Sequence, residues 1–142
     1  MIVDANLLLY AEDESSPFHP RARSWLEAVL NGATRVALPW PSLLAFARIR
    51  THPGIYRAPL TGAEAWSRVH DWLAAPAAWV PHPGARHAEI LGELIEHYHL
   101  SGNALPDAHL AALAIEHGVA VCSADTDFAR FAEVRWVNPL RD

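Results

Sequence analysis

Four aspartates in the 142-residue chain stand where an α/β protein could do chemistry. Asp4 breaks the apolar start MIVDANLLLY, Asp107 lies in NALPDAHLAALA, and Asp125 and Asp127 fall in VAVCSADTDF. Carboxylates at the ends of buried strands are costly to desolvate, so something must compensate them. A hard divalent cation would do so, taking carboxylate oxygens while keeping several waters. Such an ion activates one of those waters and stabilises charge on a phosphate ester. Taken singly, each acid reads as an ordinary helix cap or first-turn carboxylate. All of them following the right kind of element argues for one shared site.

Other chemistries lose their residues. One cysteine, Cys122, excludes an internal disulfide and a multi-cysteine zinc site, and its setting VAVCS reads as a buried thiol in a strand. The chain has no lysine, so the phosphate loop GxxxxGK[ST] is absent. Receiver domains and haloacid-dehalogenase phosphatases also combine strand-end aspartates with a lysine, and both are disfavoured. No HExxH and no Ser/His/Asp order is evident. Nine histidines are scattered without a three-ligand set: His82 and His87 flank a Pro-Gly turn, and His97 and His99 bracket a solvated helix end. His109 is two residues from Asp107 and is expected to project away from it.

The elements that position these acids read as follows. Strands are expected at Met1–Val3, Arg35–Leu38, Ala78–Val80, Val119–Cys122 and Val134–Val137. Helices are expected at Asn6–Glu12, His19–Leu30 and Leu43–Arg50, the last entered through Pro39 and Pro41. Another follows the capping-box pair Thr61 and Glu64 to about Ala75, then come Arg86–Tyr98, Leu105–His117 and a short helix at Asp127–Phe131. Gly118 is the expected stop of the penultimate helix. Alternating strands and helices imply a mainly parallel sheet covered on both faces. Asp4 and Asp125 then lie at the carboxyl edge of the sheet, where such folds bind ligands. Trp25, Trp66 and Trp72 fall at helical spacing and are assigned to the core. Trp40, between two prolines, is the tryptophan best placed for exposure, stacking or a dimer contact, although core packing is the favoured reading.

Composition sets the bounds. The length suits one domain, and a 51% hydrophobic content argues against disorder. No apolar run approaches the roughly 20 residues of a membrane helix, and no signal peptide is evident. A cytoplasmic protein is expected. Net charge is −5, which opposes polyanion binding by bulk charge. Yet Ala28–Ala63 contains no acid and carries Arg35, Arg48, Arg50 and Arg57. Arg48, Arg50 and Arg57 are the candidate phosphate contacts, with plain surface roles as the alternative.

The ordered stretches MIVDAN, LPDAHLAALAIEHG and SADTDF resemble the PIN-domain ribonucleases, and more closely the VapC toxins of bacterial toxin–antitoxin modules. PWPSLLAFARIRTHP and RWVNPL look like a mycobacterial or actinobacterial branch of that family. The resemblance covers nearly the whole chain; each motif is short, and their order and spacing carry it. It implies a Rossmann-like α/β/α sandwich of three layers spanning residues 1–142 as one PIN-like domain. It also implies an endoribonuclease using Mg²⁺ or Mn²⁺, a homodimer, and an inhibitory VapB-type antitoxin. Carried over by position, Asp4, Asp107 and Asp125 are catalytic and hold the metal, Asp127 is a neighbouring ligand, and Asn6 and Ser123 are supporting polar residues. One position departs: many members carry a glutamate on the helix after the second strand, where this chain has Ala45. Glu89 or Glu93 is a candidate replacement. A catalytically impaired module that binds RNA or protein, and a phosphohydrolase acting on a small ester, are the competing readings.

Overall fold

A computed structural model describes residues 1–141. Its centre is a five-stranded sheet in the order β3-β2-β1-β4-β5, every neighbouring pair parallel. The strands are β1 (Ile2–Val3), β2 (Val36–Ala37), β3 (Ala78–Trp79), β4 (Val121–Cys122) and β5 (Trp136–Val137). They connect through α1 (Ala5–Glu12), α2 (His19–Leu30), α3 (Trp40–Arg50), α4 (Gly62–Leu73), α5 (His87–Tyr98) and α6 (Ala104–His117). A 3₁₀ helix, Thr126–Arg130, joins β4 to β5.

Period-two alternation divides the molecule into three layers. Val3, Val36 and Cys122 face one core with α1, α2, α3 and α4, including Leu7, Leu8, Leu26, Phe46 and Trp72. Ile2, Ala37 and Val121 face the other, with α5, α6 and the 3₁₀ helix supplying Ile90, Leu94, Leu113, Phe128 and Phe131. Both sides of β1 and β4 are therefore buried, which is why their sequences are unbroken apolar runs. The three-layer α/β/α expectation is met.

Local signals explain most boundaries. The capping box at Thr61 forms in both directions, with Glu64 N donating to Thr61 Oγ1 at 3.1 Å and Thr61 N donating to Glu64 Oε1 at 3.0 Å. Gly118 ends α6 in the left-handed region at φ 67°, which a side chain resists. α5 ends at Tyr98, where His99 takes the left-handed conformation at φ 53° and closes the helix through its backbone N–H; Gly102 takes the same region at φ 57° just before α6. The tryptophans need one correction. Ala65, Val69 and Trp72 form the buried stripe of α4, and Trp66, about 100° around the helix from Ala65, faces outward at 45% exposure. Its indole stacks on Trp40, which is 38% exposed, at 6.1 Å and 7° between planes.

Candidate functional site

The sheet order reverses direction at the β1/β4 boundary, the crevice where open α/β sheets hold ligands. Asp4 leaves β1 there as the N-cap of α1. Ser123 and Asp125 leave β4 beside it, and Asp125 caps the 3₁₀ helix through Asp127 N at 2.8 Å. Asp107 stands in the first turn of α6, where the helix dipole favours an anion.

A polar lattice fixes the β1 and β4 exits to one another. Asp4 Oδ1 accepts from Ala5 N at 2.8 Å, while Oδ2 accepts from Ser123 Oγ at 2.6 Å and from Asn6 Nδ2 at 3.2 Å. Asn6 Oδ1 accepts from Ala124 N at 3.1 Å, and Ser123 Oγ accepts from Asp125 N at 2.9 Å. Trp136 on β5 adds Nε1–H to Ser123 O at 2.9 Å. Ser123 is fully buried, and its hydroxyl also accepts from Asn6 Nδ2 at 3.0 Å. Asn6 and Ser123, expected as supporting polar residues, thus hold both a carboxylate and the loop that carries another.

Carboxylate oxygens of Asp107, Asp125 and Asp127 lie within 4.8 Å of one another. Asp4 does not share that set; its oxygens are engaged with Ser123, Asn6 and Ala5, although its charge acts on Asp107. Burial is the main cause that pushes the Asp107 carboxyl up to about 6, followed by the charges of Asp4, Asp125 and Asp127, with Arg130 opposing. Asp4 is raised as well, chiefly by burial, against the lowering hydrogen bonds of Ser123 and Ala5. Three converging carboxylates with no nitrogen or sulfur donor among them suit a hard, oxygen-seeking divalent cation. Supplying that charge would remove the repulsion that lifts Asp107.

Other expected residues fall elsewhere. Ala45 is half-buried on α3, which carries no acid. Glu89 and Glu93 are both exposed on α5, and neither joins the carboxylate set; Glu93 borders a separate groove with Ile90, Leu94 and His97. Arg48 is exposed. Arg50 lies at the end of α3, about 15 Å along its axis from the sheet-edge residue Trp40. It is engaged by Ala58 O at 3.1 Å and by the Tyr56 ring at 4.3 Å. With Arg57 it lines a cavity of about 640 Å³ bordered by Glu12, Asp13 and Glu14, at the end of α1 remote from Asp4. Arg50 and Arg57 therefore border acids of their own and leave the carboxylate set to another cation.

That cation is Arg130, which sequence reasoning missed. Its Nη2 lies 3.4 Å from Asp127 Oδ2, and its Nε donates to Asp127 O at 3.0 Å. The i, i+3 spacing from Asp127 was the available signal. His109 does point away from the acids: it packs edge-on against the buried His87, with Nδ1 and Nε2 3.0 Å apart.

The PIN-domain sequence pattern matches residues 1–134. The chain belongs to the PIN-domain family. Within it, the chain is 46% identical over 138 residues to ribonuclease VapC37 of Mycobacterium tuberculosis, covering 97% of this chain and 96% of that protein. It is 40% identical over 142 residues to ribonuclease VapC33 of the same species, covering 100% and 99%. Among solved structures, VapBC2 from Rickettsia felis bound to a promoter DNA fragment superposes with TM-score 0.69 at 18% identity, covering 96% of each chain. VapC20 of Mycobacterium tuberculosis, a Sarcin-Ricin loop cleaving toxin, gives TM-score 0.67 at 19% identity, with 94% of this chain and 98% of that one covered. At these identities the structural likeness speaks for the fold.

Proposed function

We propose that this chain is an endoribonuclease, the toxin of a VapBC-type toxin–antitoxin module, acting as a single domain over residues 1–142. The observation that carries the reading is the convergence of Asp107, Asp125 and Asp127 at the sheet's switch point, in a chain 46% identical to a VapC ribonuclease. Asp107, Asp125 and Asp127 hold Mg²⁺ or Mn²⁺. Asp4, immobilised by Ser123 and Asn6, supplies the further negative charge that orients and tightens the set. The bound ion would contribute Lewis acidity and an activated water to attack at phosphorus. The Asp107 carboxyl, held up to about 6, sheds its proton just below neutral pH and then presents two acceptor oxygens. Hydrolysis adds water across a P–O bond of the RNA backbone and separates two RNA ends.

The same reading assigns a VapB-type antitoxin and a second copy of the chain as partners, in the cytoplasm. Among the described residues no helix is long and apolar enough to cross a membrane. A second reading, an impaired module that binds RNA or protein without cutting, is favoured by one observation: α3 offers no acid at Ala45 or elsewhere. Incubating RNA with the protein in Mg²⁺ or Mn²⁺, in EDTA, and with Asp107→Asn separates the two. Cleavage that disappears in EDTA and in the variant supports the ribonuclease. RNA retention without product supports the second reading, and cleavage surviving both treatments defeats the metal-dependent mechanism.

A further inference from the structure

The phosphate of an RNA strand must approach four carboxylates, which repel it. Among the described residues, Arg130 is the single arginine that makes an ion pair with any of Asp4, Asp107, Asp125 or Asp127. The chain has no lysine to share the task, and Arg50 and Arg57 border a different cavity.

The placement of Arg130 is built rather than incidental. Phe128 and Phe131, fully or almost fully buried, pin the 3₁₀ helix on both sides of it. Its guanidinium lies 5.8 Å from the Phe131 ring centroid and reaches back to the Asp127 carbonyl and carboxylate. The side chain is 34% exposed, so the planar fork is ordered at one edge and open to solvent at the other.

We propose that Arg130 is the phosphate-positioning residue of this site, its guanidinium passing from Asp127 to the RNA backbone when substrate arrives. The inference rests on the proposed ribonuclease reading. Its logic is electrostatic exchange. In the free protein Arg130 neutralises part of the Asp127 charge; once a divalent cation takes Asp127, that demand is met. The guanidinium then faces a phosphodiester oxygen, to which it donates a charge-assisted hydrogen bond. Arg130 contacts substrate without taking or giving a proton.

Affinity for a short labelled single-stranded RNA of mixed sequence, measured in Ca²⁺ at several salt concentrations, tests this for wild type, Arg130→Gln and Arg130→Lys. Mn²⁺ affinity without RNA is measured in parallel, and circular dichroism confirms folding. Arg130→Gln is expected to weaken RNA binding by roughly tenfold. It should also flatten the slope of log K against log salt by about 0.7, one single-strand phosphate contact. Arg130→Lys should recover most of the salt slope and only part of the affinity, and Mn²⁺ affinity should hold or rise. RNA affinity and salt slope unchanged in Arg130→Gln overturn the proposal whatever the metal does. Loss of Mn²⁺ affinity in Arg130→Gln also overturns it, because the arginine then serves the carboxylates. If wild type binds no Mn²⁺ yet Arg130→Gln still weakens RNA binding, the metal reading fails and the assignment of Arg130 stands.

Discussion

Ser123 donates its hydroxyl hydrogen to Asp4 across 2.6 Å, joining residues 119 positions apart at the ends of the adjacent strands β1 and β4. The same hydroxyl accepts the Asp125 amide, so one buried oxygen couples two acids of the site. Ser123→Ala should therefore do more than remove one bond. Hydrogen bonding from Ser123 is the largest influence lowering the Asp4 carboxyl against burial, and without it Asp4 rises further. Breaking a buried bond to a charged group costs about 1.5–3 kcal/mol. Urea unfolding at neutral pH should show a loss of that order, and RNA cleavage should fall with it. A variant as stable as wild type would show that the lattice contributes nothing at this joint.

Asp107 gives the molecule a pH signature. Its carboxyl is raised to about 6 from an unfolded value near 3.8, so the folded state binds this proton more tightly than the unfolded chain does. The stabilisation is fully present below about pH 3.8 and is lost as pH rises through about 6. In EDTA, thermal stability attributable to Asp107 should decline from pH 4 to 6, and Asp107→Asn should remove that component. In Mg²⁺ the trend should reverse, because ion and proton compete for the same oxygens. RNA cleavage should likewise fall as pH drops below about 6. Identical pH profiles for wild type and Asp107→Asn in EDTA would sink this assignment.

The two α4 tryptophans should respond unequally to truncation. Trp72 is 7% exposed and meets Phe46 edge-on at 4.7 Å, so Trp72→Ala should cost about 3–5 kcal/mol. Trp66 is 45% exposed and stacked only on Trp40, so Trp66→Ala should cost about 1 kcal/mol or less. Denaturant midpoints of the two variants decide the matter, and equal losses would contradict the outward placement of Trp66. The pair also shows what sequence patterning resolves. Spacing marked α4 as amphipathic and found its capping box, because both are local properties. It did not separate residue 66 from residue 65, because every tryptophan adds apolar weight whichever way it points. The placement of Asp4 and Asp125 was legible for a topological reason: a parallel sheet brings its strand exits to one edge, whereas Asp107 stands in the first turn of α6. Arg130 and the engagement of Arg50 were not legible, since each depends on which neighbour a long flexible side chain selects after folding.

Ala45 stands on α3, which carries no acid, and placing a carboxylate there is informative. Three converging acids leave a divalent cation to complete its shell with water, whereas a fourth from α3 would replace one water by a charge. Ala45→Glu should therefore tighten Mn²⁺ binding by about tenfold, the lower end of what supporting ligands contribute. In EDTA the added charge should instead repel Asp4 and Asp107, lifting the Asp107 carboxyl further and lowering thermal stability at neutral pH. Opposite signs with and without metal distinguish a glutamate that reaches the site from one that disturbs α3, since simple mispacking lowers stability in both. Isothermal titration with Mn²⁺ and melting curves in each condition read the two effects. Unchanged Mn²⁺ affinity with equal destabilisation in both would mean that α3 faces away from the carboxylates at this position.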